Sequence, residues 1–196
     1  MNILVDDLPE AIEIDGVEYS ISFDFKTGLQ CILDMESHDL VDDEKAVLLL
    51  SRIYGDNIPE DVNEAVRLAV KFLDGGKELE EFVTTSTNTG RVYSFEKDAA
   101  LIYAAFQQTH GIDLQKANLH WWQFLALFQD LGADTAFCSL VNLRRRINSG
   151  EATKEEREYA AKMGDAFYLC EPEDILSEGE NENLALFELL SRRGEK

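Results

Sequence analysis

From Phe25 to Phe167 the apolar residues keep returning at three- and four-residue intervals, in blocks bounded by capping residues and glycines. That spacing gathers them on one face of an α-helix, whereas a strand would need a period of two. No other feature constrains the fold as much. Phe25, Leu29, Ile32 and Leu33 define the first helix. Asp42 is placed to cap a second, with Val41 and Ala46 spaced as a hydrophobic staple. Its stripe is Val47, Leu50, Ile53 and Tyr54, and Gly55 stops it. Pro59 opens a third helix at its first turn, with Val62, Ala65, Val66, Ala69, Phe72 and Leu73 inside and Gly75-Gly76 closing it. Ser94 caps a fourth, with Glu96 and Asp98 in its first turn, Phe95, Ala99, Ile102 and Phe106 as its stripe, and Gly111 at its end.

The segment from Leu119 to Leu131 is apolar over a wide arc, through Trp121, Trp122, Phe124, Leu125 and Phe128. His120, Gln123 and Asp130 leave only a narrow polar seam, so this helix is expected at the centre of a core or buried on two sides. Asp134 is placed to cap the next helix, whose apolar positions are Ala136, Leu140, Leu143 and Ile147, with Phe137 and Val141 alongside. Thr153 and Glu156 are spaced as a capping box for a last core helix that buries Tyr159, Met163 and Phe167.

The N-terminus departs from this pattern. Ala11-Ile12-Glu13-Ile14 and Val17-Glu18-Tyr19-Ser20-Ile21 alternate, and Asp15-Gly16 between them suits the positive φ angles of a type I′ hairpin turn. A lone hairpin is marginal in water, so it must rest on the helices that follow. Residues 84–91 form a small polar connector, where a hinge or sub-domain boundary would fall. Glu171 to Glu188 holds seven acids and no base. We therefore expect a mostly α chain, a multi-helix globular bundle with a small N-terminal β-hairpin. Residues 1–170 form the helical domain. Residues 171–196 form an acidic, mobile C-terminal tail with one short amphipathic helix, built on Leu184, Leu186, Phe187, Leu189 and Leu190. No repeat of fixed period is visible.

The net charge of −21 divides as −15 over residues 1–100 (23 acids, 8 bases) and −6 over the rest (16 acids, 10 bases). So negative a surface repels phosphates, and no nucleic-acid partner is expected. The one basic cluster, Arg144-Arg145-Arg146, lies on a predicted helix among acids and reads as a solvated, salt-bridged face. Leu119 to Phe128, the longest strongly apolar stretch, is about half the length of a bilayer span, so no membrane partner is expected either. With acids at Asp6 and Asp7 and no basic n-region, the N-terminus does not read as a secretory signal. The chain is expected in the cytoplasm, and Cys31, Cys138 and Cys170 as reduced core thiols.

A search for chemistry returns nothing. His38, His110 and His120 have no ligand-spaced partners, there is no Cys-x-x-Cys, and the acid-rich stretch Asp34 to Glu44 lacks the spacing of a calcium loop. Gly75-Gly76-Lys77 fails as a phosphate loop because Lys71 stands where the first glycine should be. Carboxylate pairs are too abundant for any one to mark acid–base catalysis. The chain is expected to be no enzyme and to hold no cofactor or metal. Two features could bind a partner. One is the helix carrying Trp121, Trp122 and Phe128, for which plain core packing is the alternative. The other is the tail segment with Leu184, Phe187 and Leu190, which could equally dock on its own domain.

Four stretches carry a family resemblance: Ile12-Glu13-Ile14-Asp15-Gly16-Val17-Glu18-Tyr19 followed by Asp24-Phe25; the run from Phe95 to Phe106; Gly111-Ile112-Asp113-Leu114; and Leu119-His120-Trp121-Trp122-Gln123-Phe124. Together they resemble the bacteriophage tail protein family named for the fifteenth gene product of its type phage, found in long-tailed phages and prophages of Gram-positive bacteria. The resemblance runs from about residue 5 to about 170. It implies a tail assembly chaperone that coats the hydrophobic tape-measure protein, recruits tail tube subunits and then leaves. Such a protein would act in the host bacterial cytoplasm and be absent from the mature virion. Homo-oligomerisation stays open. A structural tail protein of the virion is the first alternative, and an acidic DNA mimic that inhibits a host enzyme is the second. The resemblance defines no functional residues.

Overall fold

The computed structural model describes residues 2–77 and 91–169. The connector 84–91, apart from Arg91, and the tail 171–196 with its Leu184, Phe187 and Leu190 lie outside the described residues. Among these residues there are seven α-helices and one two-stranded antiparallel sheet, the mostly helical architecture read from the sequence. They group into two compact units. The first takes residues 2–77 and 118–125, and the second 91–117 and 126–169.

The first unit opens with the hairpin of β1 (Ala11–Ile14) and β2 (Val17–Ser20), paired Ile12 to Tyr19 and Ile14 to Val17. Asp15 and Gly16 take φ of +52° and +77°, the left-handed turn that the Asp-Gly pair favours. The support is α3 (Val62–Leu73), which β1 contacts, and the Ile53 carbonyl of α2 (Asp42–Tyr54), which accepts the Ser22 N–H. The helix between the hairpin and α2 in sequence, α1 (Phe25–Glu36), packs on α2, and α2 packs on α3. Asp24 caps α1, accepting from the backbone N–H groups of Lys26 and Thr27 and from the Thr27 hydroxyl. Burial alone would raise its carboxyl, but these hydrogen bonds outweigh it and hold the group below the ordinary range.

Two helix starts in this unit differ from expectation. Val41, not Asp42, occupies the cap position of α2, because the Glu44 carboxylate turns back to accept the Val41 N–H at 3.1 Å. Asp61, not Pro59, opens α3 by accepting from Glu64 N–H. The α2 stripe is also rotated: Leu49 is buried, whereas Val47 is 63% exposed. Val62 and Leu33, read as core positions, are likewise exposed.

The second unit contains α4 (Ala99–His110), α6 (Ala136–Asn148) and α7 (Lys154–Met163), followed by a 3₁₀ turn, Gly164–Ala166. The remaining helix, α5 (Trp121–Gln129), gives residues 121–125 to the first unit and 126–129 to the second. Ser94 caps a single turn, accepting from Glu96 and Lys97 N–H, and regular helix begins only after Asp98. Thr135 rather than Asp134 caps α6, its hydroxyl accepting from Cys138 N–H; Asp134 instead accepts from the Gln108 side chain. The Thr153–Glu156 capping box forms as expected. Leu140, Ala160 and Phe167 make the local core, with Leu101, Leu143, Ile147 and Met163 against them. Tyr159 is not part of it. At 59% exposed it lies outside the α7 core stripe, and Ala160 takes the inward position.

Candidate functional site

The Trp121-Trp122 pair is built into the end of α3. The last four carbonyls of any helix lack intrahelical partners. Here the indole N–H of Trp121 donates to Leu73 O at 2.8 Å, and that of Trp122 to Phe72 O at 2.7 Å. Such closeness requires Gly75 and Gly76, both left-handed at φ of +72° and +81°, to turn the chain away. A Cβ on Gly76 would lie 2.7 Å from the Trp122 ring. On the other side, Gly28 of α1 leaves the space that the Trp121 ring fills. Trp121 stacks on Phe124, and Phe124 on Phe25.

His120 holds this arrangement in register. Its Nδ1 accepts the Trp122 N–H at 3.0 Å, and Gln123 Oε1 accepts the His120 N–H at 3.0 Å. This is the reciprocal geometry of a capping box, with imidazole in place of a hydroxyl. Because Nδ1 faces a backbone donor, the ring proton belongs on Nε2, which donates to Pro9 O at 3.0 Å. The ring also stacks on Phe23. Phe25 N–H donates to Leu119 O and Trp121 N–H to Phe23 O, so residues 119–121 run beside the start of α1. The Leu-His-Trp-Trp-Gln-Phe string is therefore a staple joining the hairpin exit, α1, α3 and α5.

The predicted partner-binding residues fall in different places. Trp121 is 1% exposed and enclosed. Trp122 is half-buried. Phe128, in the second unit, is also half-buried, against Tyr93, Phe95 and Phe137. Exposed large hydrophobic side chains lie elsewhere, in the first unit at Leu4, Val5, Val17, Leu33, Val41, Val47, Ile58 and Val62 among others.

The second unit holds a feature that the sequence reading missed. Arg144 does not lie on a solvated basic face. It is 2% exposed, and each of its five N–H donors has an acceptor. Nη1 and Nη2 grip Asp98 at 2.6 and 3.0 Å, Nε donates to Phe167 O, and the remaining two reach Val92 O and Ala166 O. Asp98, equally buried, also accepts the Ser94 N–H. Such a pair survives burial only when its hydrogen bonding is completed in this way. A signal was present: Arg144 shares the helical phase of Phe137, Leu140 and Ile147, whereas Arg145 and Arg146 do not, and these two are exposed.

Cys31 is enclosed, and burial pushes its thiol up to about 12. Cys138 is half-buried with its thiol against Leu131 O, and Cys170 lies outside the described residues. Among the described residues no group of three or more His, Cys, Asp or Glu side chains is placed to hold a metal ion. None of their helices is long and apolar enough to cross a membrane.

No curated protein and no solved structure matches the chain. Residues 4–169 match the family described as bacteriophage Gp15 protein. That span includes the hairpin, the seven helices of the described residues and the tryptophan staple, and the chain belongs to the bacteriophage Gp15 protein family.

Proposed function

We propose that this phage protein is a tail assembly chaperone, which binds the tape-measure protein and helps recruit tail tube subunits in the host bacterial cytoplasm. The observation that carries the reading is the combination of bare aliphatic side chains with a strong anionic coat. Leu33, Val41, Val47, Ile58 and Val62 leave large apolar groups at the surface of the first unit, in a chain of net charge −21. Exposed apolar area supplies contact with a hydrophobic partner. Self-repulsion keeps a carrier of such area from associating with itself. Trp122, half-buried in the same unit, is a further candidate for contact, and Phe128 is one in the second unit; Leu184, Phe187 and Leu190 remain candidates from the sequence alone. Trp121 contributes by fixing the frame rather than by contact. The role needs no bond to be made or broken, and the reading assigns the protein no catalysis.

Co-expression with the tape-measure protein of the same phage tests this. The tape-measure protein should remain in the soluble fraction with this chain and precipitate without it. Equal precipitation in both cases would end the reading. Family membership alone also accommodates a structural tail protein. Mass spectrometry of purified particles separates the two, since a chaperone is absent from them and a structural protein is present at stoichiometric amount.

A further inference from the structure

The hairpin carries an open strand edge whose chemistry specifies what can pair with it. Ile21 N–H donates to Glu10 O, and these residues stand directly opposite each other in the register that pairs Ile12 with Tyr19. Directly opposed residues that share a bond alternate with pairs that do not. Hence residues 10, 12 and 14 bond to 21, 19 and 17, and the N–H and C=O groups of Glu18 and Ser20 point away from β1. Among the described residues, none of these outward groups has a hydrogen-bond partner, and both residues are exposed. The edge ends at Ser22, whose N–H is taken by Ile53 O.

The two faces of this edge differ. Val17 and Tyr19 lie on the face of Ile12 and Ile14, where Ile14 is buried but Val17 remains 52% exposed. Glu18 lies on the opposite face, directly across from Glu13, so two carboxylates stand side by side, and Asp15 is at the turn. Like charges facing each other across a ladder are unfavourable unless something neutralises them. Another copy of β2 would bring further glutamates to the same place, in chains that already repel at −21 each.

We infer that the outer edge of β2 is a docking site for an extended partner segment in which basic and apolar residues alternate. The incoming strand adds to the sheet through the N–H and C=O groups of Glu18 and Ser20. Its basic side chains meet Glu18 and Glu13, and its apolar ones cover Val17 beside Tyr19. This inference does not rest on the chaperone reading, and either can fail alone.

The probe is a synthetic peptide alternating lysine and valine, titrated into the ¹⁵N-labelled full chain. A control peptide of the same composition carries its lysines and valines in separate blocks. The alternating peptide should shift and protect the amides of Glu18 and Ser20, while the block peptide leaves them unchanged. Ser20→Pro removes one outward N–H and leaves the bonds to β1 intact, as an edge position allows. It should weaken the alternating peptide about tenfold, as expected for loss of one hydrogen bond. Glu18→Lys keeps every backbone donor and should weaken binding at least as much. This second variant tests the site even if the proline disturbs the hairpin. Equal binding of the two peptides, or undiminished binding to Glu18→Lys, would overturn the inference. So would perturbations that fall elsewhere than β2.

Discussion

Arg144→Met isolates what the buried ion pair contributes to the second unit. Methionine keeps most of the apolar stem and deletes the guanidinium. Asp98 then retains only the Ser94 N–H, and the carbonyls of Val92, Ala166 and Phe167 lose their donors. Removing one partner of a buried pair costs roughly 3–5 kcal/mol, because an uncompensated charge remains. Each carbonyl that water cannot reach adds about 1–3 kcal/mol. Against a typical total stability of about 5–15 kcal/mol, this one change removes a large share. Asp98→Asn should also be costly, since it leaves the guanidinium buried and uncompensated. In the double variant no lone charge is buried, so its cost should fall short of the summed single costs by about 2–3 kcal/mol. Exposed Arg145→Met, one residue away, should change stability by no more than about 0.5 kcal/mol. Urea unfolding by circular dichroism gives the free energies, and hydrogen exchange at α4 and α6 amides locates the loss. If Arg144→Met costs under about 1 kcal/mol, or if the two single costs simply add, the account of Arg144 as a desolvated hub fails.

Gly28→Ala should destabilise by about 1–3 kcal/mol despite alanine's higher helix propensity, because its Cβ would run into the Trp121 ring; thermal unfolding read by tryptophan emission checks this, and an unchanged or raised midpoint would contradict it. Burial raises the Asp74 carboxyl, with Lys77 opposing, and this acid stands at the C-terminal cap of α3. A raised folded-state value favours the protonated form, so stability from this group is present below the unfolded value and is lost as pH rises through the folded one. Asp74→Asn should therefore stabilise by roughly 0.3–1 kcal/mol at pH 7, with the gain fading toward pH 3, in chemical unfolding at both pH values. Cys31 should resist alkylation at pH 8 in the native protein while Cys138 reacts, and should react after unfolding, as peptide mass spectrometry would show.

Much of the architecture was legible because local signals agreed with one another. The Asp15-Gly16 turn, the Thr153–Glu156 box and the α3 stripe closing at Gly75-Gly76 each combine a period with a matching terminus. Errors fell where two acceptors competed for one helix start. In sequence Asp42 and Glu44 both lie at one helix start, as do Asp134 and Thr135; in the fold Glu44 accepts the Val41 N–H and Thr135 the Cys138 N–H, a choice that only the three-dimensional path of the chain decides. Val47 and Tyr159 misled because a helical stripe is wider than the face that becomes covered.

The Trp pair illustrates a different limit. Two adjacent tryptophans read either as core packing or as binding area, and neither reading foresees that their N–H groups serve the end of a helix about 50 residues earlier in sequence, a contact that no local pattern announces. Arg144 is the converse case. Residue type suggested solvent, while helical phase placed it on the core stripe, and five complementary acceptors let phase prevail.

The composition of the soluble complex between this chain and its tape-measure protein bears most directly on the chaperone reading. Native mass spectrometry or light scattering of the co-purified material gives the number of copies bound. Many copies along each tape-measure chain are expected, in numbers that rise with its length. A tape-measure protein that stays soluble without this chain, or that emerges with none bound, would contradict the reading.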